Sequence, residues 1–477
     1  MKVPQRPERD GDDDAVRLAL TGAAGGFART LLPSARRHPG IRPAVLCDLD
    51  IAALRRTCRS SGYAEADLIQ CHDRAEVRDA VGAGRIAVVA DPELLDPAAY
   101  DVVVEATGRA TTGYDVASAA IVAGRHVVMV TKEAHATAGP QLEAAAAAAG
   151  VRLLPVEGDQ PANLVALVTW ARECGLDVLA AGKAGEYDVV LDAATGRGRY
   201  LENEVDDGSL RGLWQLEGSV EEVLAARADA LGPVDLRSAA DVCEMTVAAN
   251  ALGLDADVDT LHHPLVRVPE LADVYAAREH GGIRRTDGVV DVFTLLRRSD
   301  EASFGGGVFA VVRGDDPGTF DVLAAKGHVI SRDRRYACVY WPHHLMGLEA
   351  VRSIVAAARR TSPMASGSAP APDNQSDPEP MVMYGVARGR LPAGERLTVA
   401  GHHHDIAGVE PRLGRRAPRD VVPFYLLDGA VVTREIPAGT PIRASDVRVP
   451  PSSLAQAVAP AGGSAAQEPT SSRGASA

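Results

Sequence analysis

Several short polar motifs follow apolar, strand-like runs, the place where α/β proteins bind ligands. Thr131-Lys132-Glu133 comes after His126–Val130, and Glu157-Gly-Asp159-Gln160-Pro161 after Val151–Val156. Lys183 comes after Leu176–Ala181 and Gly182, with Glu186 and Asp188 close behind it. A lysine at such an edge suits carbonyl chemistry, because its ammonium can stabilise or protonate a developing alkoxide. Asp159 fits two roles: it can cap the helix that Pro161 begins, and it can bind substrate hydroxyls. Carboxylates flanking Lys183 would hold and tune its ammonium. Lys326, His328, His343 and His344 form the remaining polar group, suited to gripping a phosphate or to acid–base work. His343 and His344 are adjacent and so point apart, which makes them poor ligands for one shared metal. Asp159, Glu186 and a histidine would make a mononuclear site for a divalent metal, but no spacing demands one. His402-His403-His404-Asp405 lies in a glycine-flanked stretch and reads as a solvated loop.

These groups need a scaffold, and Val16–Asp48 describes its first unit. An apolar strand runs into Thr21-Gly22-Ala23-Ala24-Gly25-Gly26-Phe27-Ala28, then a helical pattern, then a second strand ending at Asp48. A glycine turn lets backbone approach a pyrophosphate, a helix N-terminus offers it free N–H groups, and the acid accepts hydrogen bonds from a ribose diol. The strict G-x-G-x-x-G pattern is absent. The nearest phasings are Gly22-x-x-Gly25-x-x-Ala28 or Ala23-x-Gly25-x-x-Ala28, whose final alanine is small enough for helix–strand contact. Gly22, Gly25, Gly26, Phe27, Ala28 and Asp48 are the candidate dinucleotide contacts, with Thr107 and Gly108 closing the strand Asp101–Thr107.

Strands alternate with helix-length segments through residues 15–156, which implies a doubly wound parallel sheet of the Rossmann kind. Residues 157–360 read as an α+β substrate domain, with a helix over Ser238–Ala251 and strands over Gly288–Leu295 and Gly305–Val312. Residues 361–380 read as a linker, 381–450 as a small β-rich module, and 1–14 and 451–477 as a disordered leader and tail. Hydrophobic residues make up 46% of the chain, so most of it is expected to fold. No apolar run is long enough to span a bilayer. The six cysteines are scattered without a C-x-x-C pair, as in a reduced, cytoplasmic protein. A net charge of −14 argues against broad nucleic-acid binding.

Six further segments carry a family resemblance: Gly158-Asp-Gln-Pro-Ala162, Ala180-Ala-Gly-Lys183, Gly288-Val-Val-Asp291, Gly306-Gly-Val-Phe309, Lys326-Gly-His-Val329 and Tyr340-Trp-Pro-His-His-Leu-Met-Gly-Leu-Glu349. Over residues 15–450 the chain resembles homoserine dehydrogenase-like oxidoreductases with a C-terminal SAF module, whose relatives include a deoxyxylulose-phosphate reductoisomerase-like enzyme. The resemblance implies NAD(P)-dependent interconversion of a small polar carbonyl and alcohol, such as a sugar or polyol phosphate. It places Lys132 near the nicotinamide and the residues after Leu176–Ala181, Lys183 among them, toward the substrate. It also implies a homodimer. Asp159 and Glu186 join the two lysines as catalytic candidates; Gln160, Lys326, His328, His343 and His344 are candidates for substrate binding. Two departures stand out. Leu49 follows Asp48 where relatives have arginine, which favours NAD, although Arg55 or Arg56 could serve a 2′-phosphate. Tyr340-Trp341-Pro342-His343-His344 replaces Tyr-Arg-Pro-Tyr-His, so the substrate is expected to differ. The competing readings are an amino-acid pathway enzyme of the homoserine dehydrogenase type and a non-catalytic dinucleotide sensor or scaffold.

Overall fold

A computed structural model describes residues 15–192, 194–205, 208–314, 316–359, 379–415 and 420–459. The expected leader at 1–14, almost all of the linker and most of the tail lie outside them.

The first unit is built on β-branched and leucine-rich runs that alternate between two faces. Its strands are β1 (Val16–Thr21), β2 (Ile41–Cys47), β3 (Leu68–Gln70), β4 (Ile86–Val89), β5 (Val102–Glu105), β6 (His126–Met129) and β7 (Leu153–Pro155). They form one sheet in the order β3-β4-β2-β1-β5-β6-β7, with every pairing parallel. The strand order reverses between β1 and β5, which opens a crevice at their carboxyl ends. Helices α1 (Gly26–Arg37) and α2 (Ile51–Ser60) cover one face, and α3 (Arg74–Gly82), α4 (Ala110–Val122) and α5 (Lys132–Ala149) the other. Leu18 and Leu20 of β1 point to the first core and Ala19 to the second. Asp50 and Asp73 cap α2 and α3 by accepting from Ala53 N–H and Glu76 N–H at 2.8 and 2.9 Å.

The chain comes back to this sheet much later. Residues 350–359 form a helix whose Ala350, Ile354 and Ala357 pack with α1, β1 and β5. Glu157 N–H donates to Ser353 Oγ at 2.9 Å and Gly347 N–H to Thr30 Oγ1 at 3.1 Å. The block 157–360 therefore does not belong wholly to the second unit, because its last helix completes a face of the first.

The second unit starts with α6 (Gln160–Glu173) and β8 (Asp177–Ala184), followed by β9 (Val189–Leu191), α7 (Val220–Leu231) and α8 (Ala239–Leu252). In its mixed sheet, β8 lies between a parallel partner, Val289–Arg298, and an antiparallel one, Val308–Arg313. Lys183 is thus inside a strand and buried; it does not sit on a turn after one. The bidentate Arg227–Glu270 pair, at 2.7 and 2.9 Å, fastens α7 to the segment that follows Val266.

Residues 381–448 form short antiparallel pairs, among them Val382–Ala387 with Val409–Gly414. Their core is continuous with that of α6 and α8: Met383, Leu413, Phe424 and Leu427 share a cluster with Val242, Met245 and Leu164. The expectation of a disordered stretch from residue 451 is corrected, because Ser453–Ala457 is helical, Leu454 is buried, and the Ser453 hydroxyl bonds Asp115 on α4. Among the described residues, no helix is long and apolar enough to cross a membrane.

Candidate active site

The carboxyl edge of the first sheet has the features a dinucleotide needs. Gly22 has φ +64°, and a Cβ there would fall 2.1 Å from the Ala106 carbonyl oxygen, so only glycine lets β1 turn this close to the end of β5. Helix α1 starts at Gly26 behind Gly25, with no side-chain cap and no acid in its first turn. Its leading N–H groups, at Gly26, Phe27 and Ala28, are left for a ligand anion. The Asp48 carboxylate accepts from Ala24 N–H at 2.8 Å and Asp50 N–H at 2.9 Å, which fixes it with lone pairs to spare. Gly108 N–H donates to Thr131 Oγ1 at 2.9 Å, tying the β5 and β6 edges together. Gly22, Asp48, Leu49, Thr107 and Arg109 line a cavity of about 210 Å³ between these ends. These residues fit a nicotinamide dinucleotide. Of the two arginines considered for a 2′-phosphate, Arg55 pairs with Glu65, and Arg56 is solvent-exposed beside Asp50.

Next to this edge four elements converge. Lys132 opens α5, Asp159 and Gln160 open α6, Lys183 sits in β8, and Asp241 and Glu244 lie three residues apart on one face of α8. Lys132 Nζ reaches Glu244 Oε1 at 2.5 Å and Asp159 Oδ1 at 3.3 Å. The other Glu244 oxygen takes Lys183, whose ammonium also meets Asp241 Oδ1 at 2.6 Å. Asp241 is held in turn by the Ser238 hydroxyl at 2.8 Å. His344 Nε2 lies 3.3 Å from Asp159, and the Gln160 amide, with its nitrogen turned toward the acids, donates to Asp159 and Glu244. Gly306, at φ +71°, passes so close to His344 and Gln160 that a Cβ would stand 2.9 Å from the His344 ring and 3.1 Å from the Gln160 amide.

Burial and charge pull against each other here, and charge prevails. Burial alone would lower both lysine pKa values, but Asp159 and Glu244 raise that of Lys132, and Asp241 and Glu244 that of Lys183, well above the ordinary value. Burial would raise Asp159 and Asp241, yet Lys132 with His344, and Lys183 with His263, hold them below the usual carboxylate range. At neutral pH both lysines are cationic. The Lys132 side chain remains 23% exposed and that of Lys183 only 2%, so Lys132 is the one able to meet a substrate.

Asp159 takes the capping role weighed for it, its Oδ1 accepting from Gln160 N–H at 3.0 Å at the helix start, and the same oxygen faces Lys132 at 3.3 Å. Other expectations need correction. Glu186 and Asp188 do not flank Lys183; Glu186 meets His402 at 3.0 Å, and Asp188 meets Arg297 at 2.6 Å. Lys326 and His328 are exposed beside the edge strand Val329–Ile330, three strands from β8, and His343 is exposed too. The histidine loop is no solvated excursion: Asp405 accepts from Ala239 N–H at 2.8 Å, and His404 Nδ1 lies 2.5 Å from Glu133. For a divalent metal the donors do not fit. The three carboxylates face two ammonium groups, and among the described residues no group of three His, Cys, Asp or Glu could hold an ion. Asp241 and Glu244 escaped the sequence reading, although two acids three apart in an otherwise apolar helix were a visible signal.

The parallel sheet with its switch-point crevice defines the class: a dinucleotide-binding α/β fold carrying a second, mixed-sheet domain. Within that class, residues 236–350, which include Asp241, Glu244 and His344, match the family described as the catalytic domain of oxidoreductase DRL. That match supports an oxidoreductase. No curated protein matches the sequence. Among solved structures, the chain is similar to a DOX-P reductoisomerase with fosmidomycin and magnesium, at 20% identity and TM-score 0.27 over 36% of this chain and 46% of that one, less than half its length. It is also similar to GenD2 from gentamicin A biosynthesis in complex with NAD, at 16% identity and TM-score 0.36 over 76% and 91%. A probable dehydrogenase from Thermotoga maritima stands at 12% identity and TM-score 0.37 over 73% and 90%.

Proposed function

We propose that this protein is an NAD-dependent oxidoreductase that interconverts a carbonyl and an alcohol on a small polyhydroxylated substrate. The observation that carries the reading is Lys132: a partly exposed ammonium, locked cationic by Glu244 and Asp159, beside the carboxyl edge of a dinucleotide-type sheet. A bound nicotinamide would supply or take the hydride at the substrate carbon. Lys132 would hydrogen-bond the substrate oxygen and stabilise the alkoxide as charge develops on it. Its firmly held proton makes it a hydrogen-bond donor and electrostatic partner rather than a base. Glu244 grips both lysines, so Lys183, backed by Asp241, sets the angle at which Lys132 is presented. Asp159, Gln160 and His344 offer acceptors and donors for neighbouring hydroxyls.

The same bookkeeping of charge bears on the substrate. Both cluster lysines are already neutralised by carboxylates, and Lys326, His328 and His343 are outside the cluster. This favours a neutral sugar or polyol over the phosphate ester that the sequence resemblance implies. Asp48 followed by the exposed Leu49, with Arg55 engaged elsewhere, supports NAD over NADP.

The test is a fluorescence titration with NADH and with NADPH, followed by a screen of free and phosphorylated polyols. NADH is expected to bind at least tenfold tighter than NADPH. Lys132→Met is expected to lower kcat by about 10²–10³ while leaving NADH affinity within a factor of two. Binding without turnover on any polyol, or full activity in Lys132→Met, would sink the reading.

A further inference from the structure

His404 belongs to the C-terminal β-rich module, 271 residues after its partner Glu133 on α5. The Nδ1 side of the ring faces that carboxylate at 2.5 Å, and the Cε1–Nε2 edge lies over Gly108, 3.3 and 3.8 Å from where a Cβ would stand. Gly108 lies three residues past the end of β5, on the ligand-binding edge of the sheet. A cavity of about 320 Å³ opens there, walled by Thr107, Gly108, Arg109 and Glu133 on one side and by His404 and Tyr425 of the module on the other.

The contact is deliberately built. His404 has φ +55°, a left-handed conformation that is strained for a side chain of this size. On either side of it the loop is pinned to the start of α8, where Ala240 N–H donates to the His403 carbonyl at 3.1 Å and Ala239 N–H to Asp405. Glu133 orients the imidazole through Nδ1, so Nε2 is the atom presented to a ligand, and among the described residues it has no hydrogen-bond partner. A solvated loop would need neither the strain nor the three attachments.

We propose that the C-terminal module completes the cofactor site, with His404 Nε2 hydrogen-bonding a hydroxyl or the carboxamide of the nicotinamide-riboside half of the dinucleotide. This rests on the dinucleotide reading above. Glu133 is then a positioning residue acting through His404, and cofactor binding and module docking share one side chain. Glu133 also holds His404 above the ordinary histidine pKa, chiefly through their hydrogen bond, so the ring is readily kept in a donating form.

The experiment compares NADH with ADP, which lacks the nicotinamide-riboside half, on the full chain and two variants. His404→Gly removes the ring and relieves the strained backbone. His404→Asn keeps a polar atom near Nδ1 to meet Glu133, suits the left-handed backbone, and lacks Nε2. Both variants are expected to bind NADH about tenfold more weakly with ADP affinity unchanged, and His404→Asn is expected to keep the wild-type melting temperature. Unchanged NADH affinity in both variants would overturn the proposal. So would full recovery in His404→Asn, which would leave the ring a docking role only, and so would an equal loss for NADH and ADP. Failure of the wild type to bind NADH at all would instead overturn the dinucleotide reading beneath it.

Discussion

Ionisable side chains inside this protein divide into those that are paired and those that are not. Lys132, Lys183, Asp159, Asp241 and Glu244 compensate one another, so removing any one leaves its neighbours charged and stranded, a loss of about 3–5 kcal/mol in buried pairs. Asp291 is the contrasting case. Its Oδ1 accepts from the N–H groups of His262 and Val292, both at 2.8 Å, while Oδ2 has no hydrogen-bond partner among the described residues, and burial pushes the carboxyl up to about 6. A carboxyl raised in the folded state favours the protonated form. Its contribution to stability is full below the ordinary 3.8 and is lost as pH rises through about 6. Asp291→Asn removes the titration and keeps an acceptor. The variant's stability relative to wild type is expected to improve by ~2 kcal/mol between pH 4 and pH 8 in denaturant melts. A pH-independent difference would show that Asp291 does not titrate in this range.

At the scale of elements, the glycine turn does what a loop of any other composition could not. Gly22→Ala would drive a methyl group into the Ala106 carbonyl at a left-handed φ. A lower melting temperature and at least tenfold weaker NADH binding are expected, whereas Gly26→Ala, which meets nothing within 4 Å, should leave stability nearly unchanged. The sequence made this unit legible because β1, β2, β5 and β6 are short apolar runs ending at a turn, and local pattern suffices for a parallel sheet. It hid β3 and α3, whose exposed Ile69 and charged Asp73–Gly82 stretch carry little apolar signal. It hid the first half of α5, where a break at Ala138 and Pro140 interrupts the helix just after Lys132. The site itself was half legible. Lys132, Asp159, Gln160, Lys183 and His344 stand at element edges or in the resemblance motifs. The partners of the lysines, Asp241 and Glu244, come from a helix more than fifty residues further on, and only tertiary packing reveals them.

In the whole molecule, the three expected units are less separable than their sequence boundaries. The module at 381–448 shares a core with α8, supplies the loop that pins the start of that helix, and reaches Glu133 of the first unit. A multi-part protein joined this way should melt in one transition rather than three. Removing the module would strip apolar cover from the helix that carries Asp241 and Glu244.

The late return of residues 350–359 to the first sheet has a consequence for how the protein is made. The strands of that sheet have all been synthesised by residue 155, yet one face lacks its last helix until residue 359 has left the ribosome. At ordinary translation speeds this leaves an apolar surface open for about 10–40 s. During that interval the nascent chain is a natural client for chaperones. A ribosome-arrested chain ending near residue 200 is expected to be cut readily by protease within β1 to β7. One long enough to expose residue 359 outside the exit tunnel should resist. Equal resistance at both lengths would mean that the sheet closes without its final helix.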